Sequence, residues 1–213
     1  MYLDELALKY RTDKGSYYHN YTQYYDLVFN KIKENSLKVL EIGINRGSSL
    51  KMWKEYFTNS FIYGIDNHSS CKTVEEYRIK VFIGSQDNQD FLTKVKTEIN
   101  DDIDIIIDDG SHMSVHQITS FKILFPFVRS GGFYVIEDLH ASYMTDFNKG
   151  SNITGLNFCK TLIDEMNLNG KSQVANKKNS VISLEKRKII LNYCEKNIEY
   201  IFFFPSLCII KKV

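Results

Sequence analysis

The chain has 213 residues, of which 43% are hydrophobic and 25% are charged, and its formal net charge is +1. This composition is typical of a globular chain with a full core. A net charge near zero gives no electrostatic argument for a nucleic-acid or membrane partner, so we expect a small-molecule ligand. The longest apolar run, Tyr200 to Ile210, is about half of what a membrane helix requires. The 4 cysteines have no metal-ligand spacing and we see no signal-peptide pattern, so we expect a cytoplasmic protein with reduced thiols.

The N-terminal region contains two amphipathic segments, at residues 2–10 and Tyr21–Lys33, which predict helices. A polar, aromatic-rich stretch, RTDKGSYYHNY, lies between them. One interpretation is a helical cover, residues 1–36, packed on one flank of a sheet. The other is a lid over a bound ligand, with Lys14 or His19 reaching into the site. The sequence leaves both open.

A strand predicted at Leu37–Ile42 runs into a glycine turn, GINRGS, and then into a helix predicted at Ser48–Phe57. Such a turn lets a ligand approach the backbone closely. The spacing is G-x-x-x-G, which differs from the G-x-G-x-x-G of dinucleotide binders. The next predicted strand, Phe61–Ile65, ends in Asp66, which could accept hydrogen bonds from a ribose diol or could serve as a turn or capping residue.

A third strand is predicted at Lys80–Ile83, followed by GSQD and a helix at Phe91–Ile99. Asp87, in this turn, could contact an adenine edge, and it could equally cap the helix that follows.

The central stretch of the chain reads as a β-α-β unit. Its two apolar runs, Ile103–Ile107 and Tyr134–Ile136, end in acidic pairs, and such runs predict parallel strands buried on both faces. We predict the crossover helix at Val115–Val128 and a turn back into the sheet at Ser130-Gly131-Gly132. Ligands bind beyond the carboxyl ends of parallel strands, so four carboxylates and His112 should gather at one rim. Strands lie about 4.8 Å apart, which would let such acids share one cation.

The C-terminal part predicts a helix at Thr154–Met166 and then a long exposed loop at Asn167–Ser180, a candidate substrate cover. Two strand-like runs, Ile198–Phe204 and Leu207–Ile210, are joined by Pro205-Ser206, which predicts an antiparallel hairpin. We see no linker that would divide the chain, and we predict a single domain over residues 1–213 with its core at 37–213.

Five strands in β-α alternation followed by a hairpin resemble the class I S-adenosylmethionine-dependent methyltransferase fold. That fold is α/β, a Rossmann-like seven-stranded, mostly parallel sheet with an antiparallel last strand. EIGINRGSS looks like its first motif. TDKGSYYHNYTQYY, GSQDNQDFL, IDDGSH and IEDLHASY look more specifically like the macrolide sugar O-methyltransferases of the mycinamicin and macrocin type.

The resemblance implies a methyl donor, S-adenosylmethionine, and a magnesium ion. It implies Asp109, Glu137 and Asp138 as metal ligands and His112 as the general base. All-oxygen ligands suit a hard ion such as magnesium. The candidate donor-binding residues are Lys14, Glu41, Gly43, Asn45, Ser48, Asp66, Asn67, Gln86, Asp87 and Asp108. For Glu41 the alternative to holding the donor's amino group is a structural ion pair, and strand-end acids can also cap helices.

The function that we predict is magnesium-dependent methylation of a hydroxyl on a sugar, nucleotide sugar or glycoside. Two neighbouring hydroxyls could chelate the ion, which fits a diol. The alternatives are a catechol-type O-methyltransferase, a nicotinamide-dependent oxidoreductase and a silent nucleotide-binding protein. Homo-oligomerisation stays open.

Overall fold

The computed structural model describes residues 2–100, 102–168 and 192–213. Within these ranges the strands are β1 Lys38–Ile42, β2 Phe61–Asp66, β3 Ile79–Ile83, β4 Ile103–Asp108, β5 Val128–Ile136, β6 Ile198–Phe204 and β7 Leu207–Lys212. The α-helices are α1 Tyr2–Tyr10, α2 Thr22–Phe29, α3 Ser48–Tyr56, α4 Gln89–Ile99, α5 Ser114–Leu124, α6 Gly155–Met166 and α7 Tyr193–Asn197.

The strands form one 7-stranded sheet in the order β3-β2-β1-β4-β5-β7-β6. The pairings among β1 to β5 are parallel, whereas β7 runs antiparallel to both β5 and β6. This confirms the predicted class I methyltransferase sheet with its terminal hairpin. Strand order reverses between β1 and β4, and such a switch point leaves a crevice at the carboxyl ends of the strands.

Helices cover both faces of the sheet. Alternate strand residues such as Val39 and Ile105 pack beneath α1, α2 and α3 on one face. Their neighbours Leu40 and Ile106 pack beneath α4, α5 and α6 on the other. Every residue of β4 is buried, as the continuous apolar run predicted. Burial of each large aliphatic side chain contributes about 1.5–3 kcal/mol, so two apolar layers fix the register of the central strands.

Two predicted helices end earlier than the sequence indicated. The predicted Tyr21–Lys33 helix stops at Phe29, because backbone bonds such as Ile32 N to Phe29 O replace the α-helical ladder with tight turns. The predicted Val115–Val128 helix stops at Leu124. Pro126 follows, and proline lacks an N–H and disfavours helical geometry in the residue before it, so the chain passes through a short 3-10 turn into β5.

The predicted turn at Ser130-Gly131-Gly132 is instead part of β5. Pairing with β4 runs from Val128 opposite Ile103 to Phe133 opposite Ile105, and the register shifts in between. Gly131 has φ of 76°, which suits a bulge. The turn that was predicted is therefore a bulge in a longer strand.

Several expectations fall outside what the structure describes or tests. Beyond Leu168, the loop predicted at Asn167–Ser180 lies outside the described residues. In the ranges that are described, no helix is long and apolar enough to cross a bilayer. The single-domain division and a cytoplasmic location stay predictions.

Candidate active site

A cavity of about 870 Å³ opens at the carboxyl ends of the parallel strands. Its volume lies in the range typical of small-molecule sites. The lining comes from the turns after β1, β2, β3, β4 and β5 and from the segment after α1. The lining residues include Arg11, Gly43, Asn45, Arg46, Ser48, Asp66, Asn67, Ser85, Gln86, Asp109, His112, His116 and Asp138.

The glycine turn after β1 presses against the turn after β4. Gly43 has φ of 83°, and a Cβ built there would lie 2.6 Å from the Cα of Gly110 and closer still to the carbonyl oxygen of Asp109. The Asp109 N–H also donates to the Ile42 carbonyl at 3.0 Å. Only glycine fits this position, and the fit joins the predicted donor turn to the predicted metal turn.

Asp66 organises the glycine turn from the end of β2. Its Oδ2 accepts hydrogen bonds from the N–H groups of Ile44 at 3.1 Å and Asn45 at 3.0 Å, and its Oδ1 accepts one from His68 N at 2.9 Å. Asp66 is therefore a turn residue, as one alternative held; it also lines the cavity, and its binding to a ribose diol stays a prediction. Oδ2 already accepts two hydrogen bonds, whereas Oδ1 accepts one and keeps acceptor capacity for a ligand hydroxyl.

Gln86 links the third turn to the fourth. Its Nε2 donates to Asp108 Oδ1 at 3.0 Å and its Oε1 accepts from Ser111 N at 2.7 Å. Asp108 is fully buried and also accepts from Ser120 and Tyr134. Burial raises the pKa of Asp108, against the hydrogen bonds of Ser120 and Gln86. Asp108 therefore lies beneath the cavity and holds the side chain of Gln86, which lines it.

Three side chains converge at the strand ends and form what we call the outer group: Asp109, His112 and Asp138. One ligand atom from each lies within 4.8 Å of the others. His112 Nε2 is 3.6 Å from Asp138 Oδ2, and Tyr21 donates to Asp138 Oδ1 at 2.6 Å. His112 and Asp138 have φ of 57° and 56°. This conformation costs about 1–2 kcal/mol for a residue with a Cβ, and such strain concentrates at functional sites.

A second set of acids lies deeper and surrounds Lys14. We call Lys14, Glu41 and Glu137 the inner cluster. Lys14 Nζ lies 2.5 Å from Asp109 Oδ2, 2.8 Å from Glu137 Oε1 and 3.3 Å from Glu41 Oε1. Tyr25 also donates to Glu137. Asp109 thus belongs to the outer group and contacts the inner cluster.

Burial and charge act in opposite directions on these groups. Burial works to lower the pKa of Lys14, but the carboxylates of Asp109, Glu137 and Glu41 raise it well above its ordinary value. Burial, followed by the Asp109 charge, raises the pKa of Glu137 against the effects of Lys14 and Tyr25. Burial also raises the pKa of Glu41 and of Asp109, and Lys14 opposes both shifts. The Lys14 ammonium is therefore the shared counter-charge of three carboxylates.

The chain is similar to several characterised sugar O-methyltransferases. L-olivosyl-oleandolide 3-O-methyltransferase of Streptomyces antibioticus is 37% identical over 177 residues, which are 77% of this chain and 45% of that protein. Demethylmacrocin O-methyltransferase of Streptomyces fradiae is 39% identical over 77% of this chain and 44% of its own length. No family model matches.

Solved structures extend the match to nearly the whole chain. The MycE methyltransferase of the mycinamycin biosynthetic pathway, solved in complex with Mg and SAH, superposes with a TM-score of 0.82 at 33% identity. The match covers 99% of this chain and 54% of that one. The chain is a relative of the macrolide sugar O-methyltransferases. It spans about half the length of the relatives that it matches.

The cavity collects most of the residues predicted from the resemblance to these sugar O-methyltransferases. Of the predicted donor-binding residues, those that line it are Gly43, Asn45, Ser48, Asp66, Asn67 and Gln86. Of the predicted metal and catalytic residues, those that line it are Asp109, His112 and Asp138. The two halves of the predicted site thus share one cavity.

Four predicted donor-binding residues do not line this cavity: Lys14, Glu41, Asp87 and Asp108. Glu41 forms the ion pair with Lys14 that was its alternative, and it accepts from Ser49 at 2.6 Å. Asp87 does not cap α4, because the Asn88 side chain accepts from Phe91 N instead. Asp87 lies 3.5 Å from His116 Nε2.

Glu137 also lies apart from the outer group. Its carboxylate faces Lys14 and Tyr25, and its residue is 1% exposed. Its role as a metal ligand stays a prediction.

Sequence reasoning missed several residues of the site. Arg11, Arg46, Ser85 and His116 line the cavity, and Tyr21 holds Asp138. Arg46 lies inside the glycine turn, so its position in the sequence could have indicated that it lines the cavity. Tyr21 carried no such signal, because nothing in its sequence context distinguishes it from the packed tyrosines around it.

Proposed function

We propose that the chain is a magnesium-dependent O-methyltransferase that moves a methyl group from S-adenosylmethionine to a hydroxyl of a sugar or sugar-containing small molecule. One observation supports this above all. A single cavity is lined both by the glycine turn with Asp66 and by the outer group. Donor and acceptor can therefore meet in it, and positioning two reactants together is a large part of catalysis.

The donor half fits a nucleoside. The glycine turn leaves backbone exposed to a ligand, and Asp66 is fixed by three backbone N–H groups with its carboxylate partly accessible. A ribose diol is the group that such an acid recognises in this class of sheet. S-adenosylmethionine supplies a methyl group that is already activated as part of a sulfonium. The chain therefore needs to orient the donor, not to activate it.

The acceptor half fits a hard cation. Asp109 and Asp138 offer carboxylate oxygens within 4.8 Å of each other, and oxygen donors favour Mg²⁺ over Zn²⁺. A bound Mg²⁺ would act as a Lewis acid and lower the pKa of an alcohol. Tyr21 fixes one oxygen of Asp138, so the acid is held in place before any ligand binds.

We infer that His112 accepts the proton of the acceptor hydroxyl, because it lines the cavity beside Asp109 and Asp138. Its Nε2 faces Asp138 Oδ2 at 3.6 Å, and its Nδ1 is a buried nitrogen without a hydrogen-bond partner in the described structure. An imidazole so placed can act as a general base, typically contributing about 10²- to 10⁴-fold in rate. Asp138 would stabilise the imidazolium that results.

The acceptor class comes from the relatives. Several of their names specify a glycosylated acceptor, as in L-olivosyl-oleandolide 3-O-methyltransferase of Streptomyces antibioticus and 8-demethyl-8-alpha-L-rhamnosyl tetracenomycin-C 2'-O-methyltransferase of Streptomyces olivaceus. MycE has been solved together with Mg, SAH and mycinamycin VI. We infer a glycoside or nucleotide-sugar acceptor for this chain.

Calorimetric titration of SAH into the metal-replete protein tests the donor assignment without needing the acceptor. We expect saturable binding near one SAH per chain. Methyl transfer from labelled donor to a panel of glycosides, nucleotide sugars and catechols then tests the acceptor class. Absence of SAH binding by folded protein would refute the function, and preference for a catechol would refute the sugar assignment.

A further inference from the structure

The arginines in the part of the chain that the structure describes are of two kinds. Arg78 donates to backbone carbonyl oxygens, and Arg129 forms an ion pair with Asp104. Arg11 and Arg46 differ, because both line the cavity and neither guanidinium has a hydrogen bond or an ion pair with any described residue. The arginines without a partner among these residues are therefore the ones at the candidate site.

Arg46 lies in the glycine turn, which contacts the turn that carries Asp109. It is exposed, although it lines the cavity, so it lies at the rim. It follows Gly43 by three residues, which keeps their Cα atoms within about 11 Å of each other. A Cβ built on Gly43 would lie 2.6 Å from the Cα of Gly110. The long side chain of Arg46 can therefore extend toward the outer group.

Arg11 comes from a different element, the segment after α1, and it is also exposed at the rim. Its φ is 56°, a conformation that favours glycine, and such strain concentrates at functional sites. Two residues later, the Asp13 carbonyl oxygen accepts from His19 N at 3.0 Å, and His19 Nδ1 lies 3.8 Å from Asp138 Oδ1. This segment therefore brings a second guanidinium to the part of the cavity near the outer group.

Two guanidinium groups without partners favour an anionic ligand. The planar fork of arginine matches the oxygens of a carboxylate or a phosphate. S-adenosylmethionine carries one carboxylate, and a single guanidinium can bind both of its oxygens, so the donor alone does not account for two arginines. A diphosphate offers anionic oxygens to both. Asp13 also lines the cavity, but no ion pair joins it to Arg11 or Arg46.

We propose that Arg11 and Arg46 form a phosphate subsite that selects an acceptor sugar carrying a phosphate or diphosphate, as a nucleotide sugar does, and this rests on the proposed function. The sugar hydroxyl meets the outer group, while the phosphate stays at the exposed rim and accepts hydrogen bonds from the two arginines. A neutral glycoside has no group for these arginines. The subsite therefore distinguishes the two acceptor classes, glycoside and nucleotide sugar.

Calorimetric titration of inorganic pyrophosphate into SAH-saturated protein tests the subsite without a known acceptor. The buffer contains no divalent cation, so the probe cannot bind through a metal ion. Wild type should bind pyrophosphate saturably. Arg11→Gln and Arg46→Gln should each raise the pyrophosphate dissociation constant by about fivefold or more, because each removes charge-assisted hydrogen bonds. Their SAH dissociation constants should stay within about twofold of wild type.

Lys51→Gln is the matched control, because Lys51 is exposed on α3 and does not line the cavity. It removes the same charge and should leave both affinities unchanged. Equal losses of pyrophosphate affinity in all three variants would show a long-range charge effect and overturn the proposal. A loss of SAH affinity in either arginine variant, with pyrophosphate binding unchanged, would assign that arginine to the donor carboxylate and also overturn it. If Arg11→Gln does not fold, Arg46→Gln decides.

Methyl transfer from labelled donor separates the sources of the phosphate. Nucleotide sugars and sugar 1-phosphates are compared with neutral methyl glycosides, and both arginine variants should raise KM for the phosphorylated acceptor more than they lower kcat. Preference for a neutral glycoside would overturn the subsite. Wild-type protein that binds SAH but not pyrophosphate would overturn the subsite alone. Folded protein that does not bind SAH would overturn the proposed function and, with it, the acceptor role of the two arginines.

Discussion

Gly43→Ala should damage both halves of the site at once. The added methyl would enter a space that the backbone after β4 already fills, 2.6 Å from Gly110 Cα. The residue would also have to keep φ of 83°. Because this backbone includes Asp109, relief of the clash must displace a residue of the outer group as well as the glycine turn.

Two costs add in this variant. A left-handed conformation costs about 1–2 kcal/mol for a residue with a Cβ. Overpacking against a backbone that cannot rotate away costs roughly another 1–3 kcal/mol. We therefore expect the free energy of unfolding to fall by roughly 2–5 kcal/mol. Gly131→Ala is a matched control, because Gly131 has φ of 76° and no atom lies within 4 Å of its built Cβ. Only the conformational cost, about 1–2 kcal/mol, should apply there.

Urea unfolding of both variants measures the loss in the free energy of unfolding, and calorimetric titration measures their affinity for SAH. Gly43→Ala should lose more stability than Gly131→Ala and should bind SAH more weakly than wild type. Gly131→Ala should bind SAH like wild type, since β5 bulges there at the opposite end of the strand from the cavity. Equal stability losses with unchanged SAH affinity would refute the close approach of the two turns.

Three further predictions follow from the same contacts. Asp109→Asn and Asp138→Asn should each lower magnesium-dependent turnover by about 100-fold or more while SAH affinity stays within a few-fold, because Lewis-acid stabilisation is worth several kcal/mol; turnover near wild type in both would contradict the metal assignment. His112→Ala should slow the single-turnover rate by about 10²- to 10⁴-fold, and an unchanged rate would exclude it as the base. Asp4→Asn should cost about 1 kcal/mol in urea unfolding at neutral pH. Burial works to raise the pKa of Asp4, but hydrogen bonds from Ser16 and Thr22 lower this pKa overall. The stabilisation by Asp4 is therefore fully present above the ordinary pKa of about 3.9 and is lost as the pH falls through the lower pKa of the folded state. If the stability difference between Asp4→Asn and wild type persists below that pH range, the assigned role of the Asp4 carboxylate is wrong.

The sheet could be predicted because its central strands consist mostly of buried apolar residues. The apolar run Ile103–Ile107 favoured a strand buried on both faces, and a parallel sheet between two helical layers buries its strands in this way. Once the strands were parallel, Asp66, Asp109 and Asp138 had to meet at one rim. The cavity lies at this rim, as predicted.

Boundaries were predicted less well, for reasons that are local. Apolar periodicity continues past Leu124, so Val115–Val128 read as one helix, although Pro126 had already indicated a stop. Ser130-Gly131-Gly132 read as a turn because glycine permits either a turn or a bulge. Pairing with β4 decides between them, and pairing is not visible in the segment itself.

Lys14 shows what pattern reasoning could not reach. A lysine between two amphipathic helices reads as a surface residue or as a ligand-binding residue, and sequence carries no measure of how many acids surround it. Its burial follows only when Glu41, Asp109 and Glu137 are already in place, since the desolvation of an ammonium is tolerable only among opposite charges. The same three acids would repel one another without it. The order of the acids in the chain therefore predicts where they meet, but it does not predict the ammonium that lies among them.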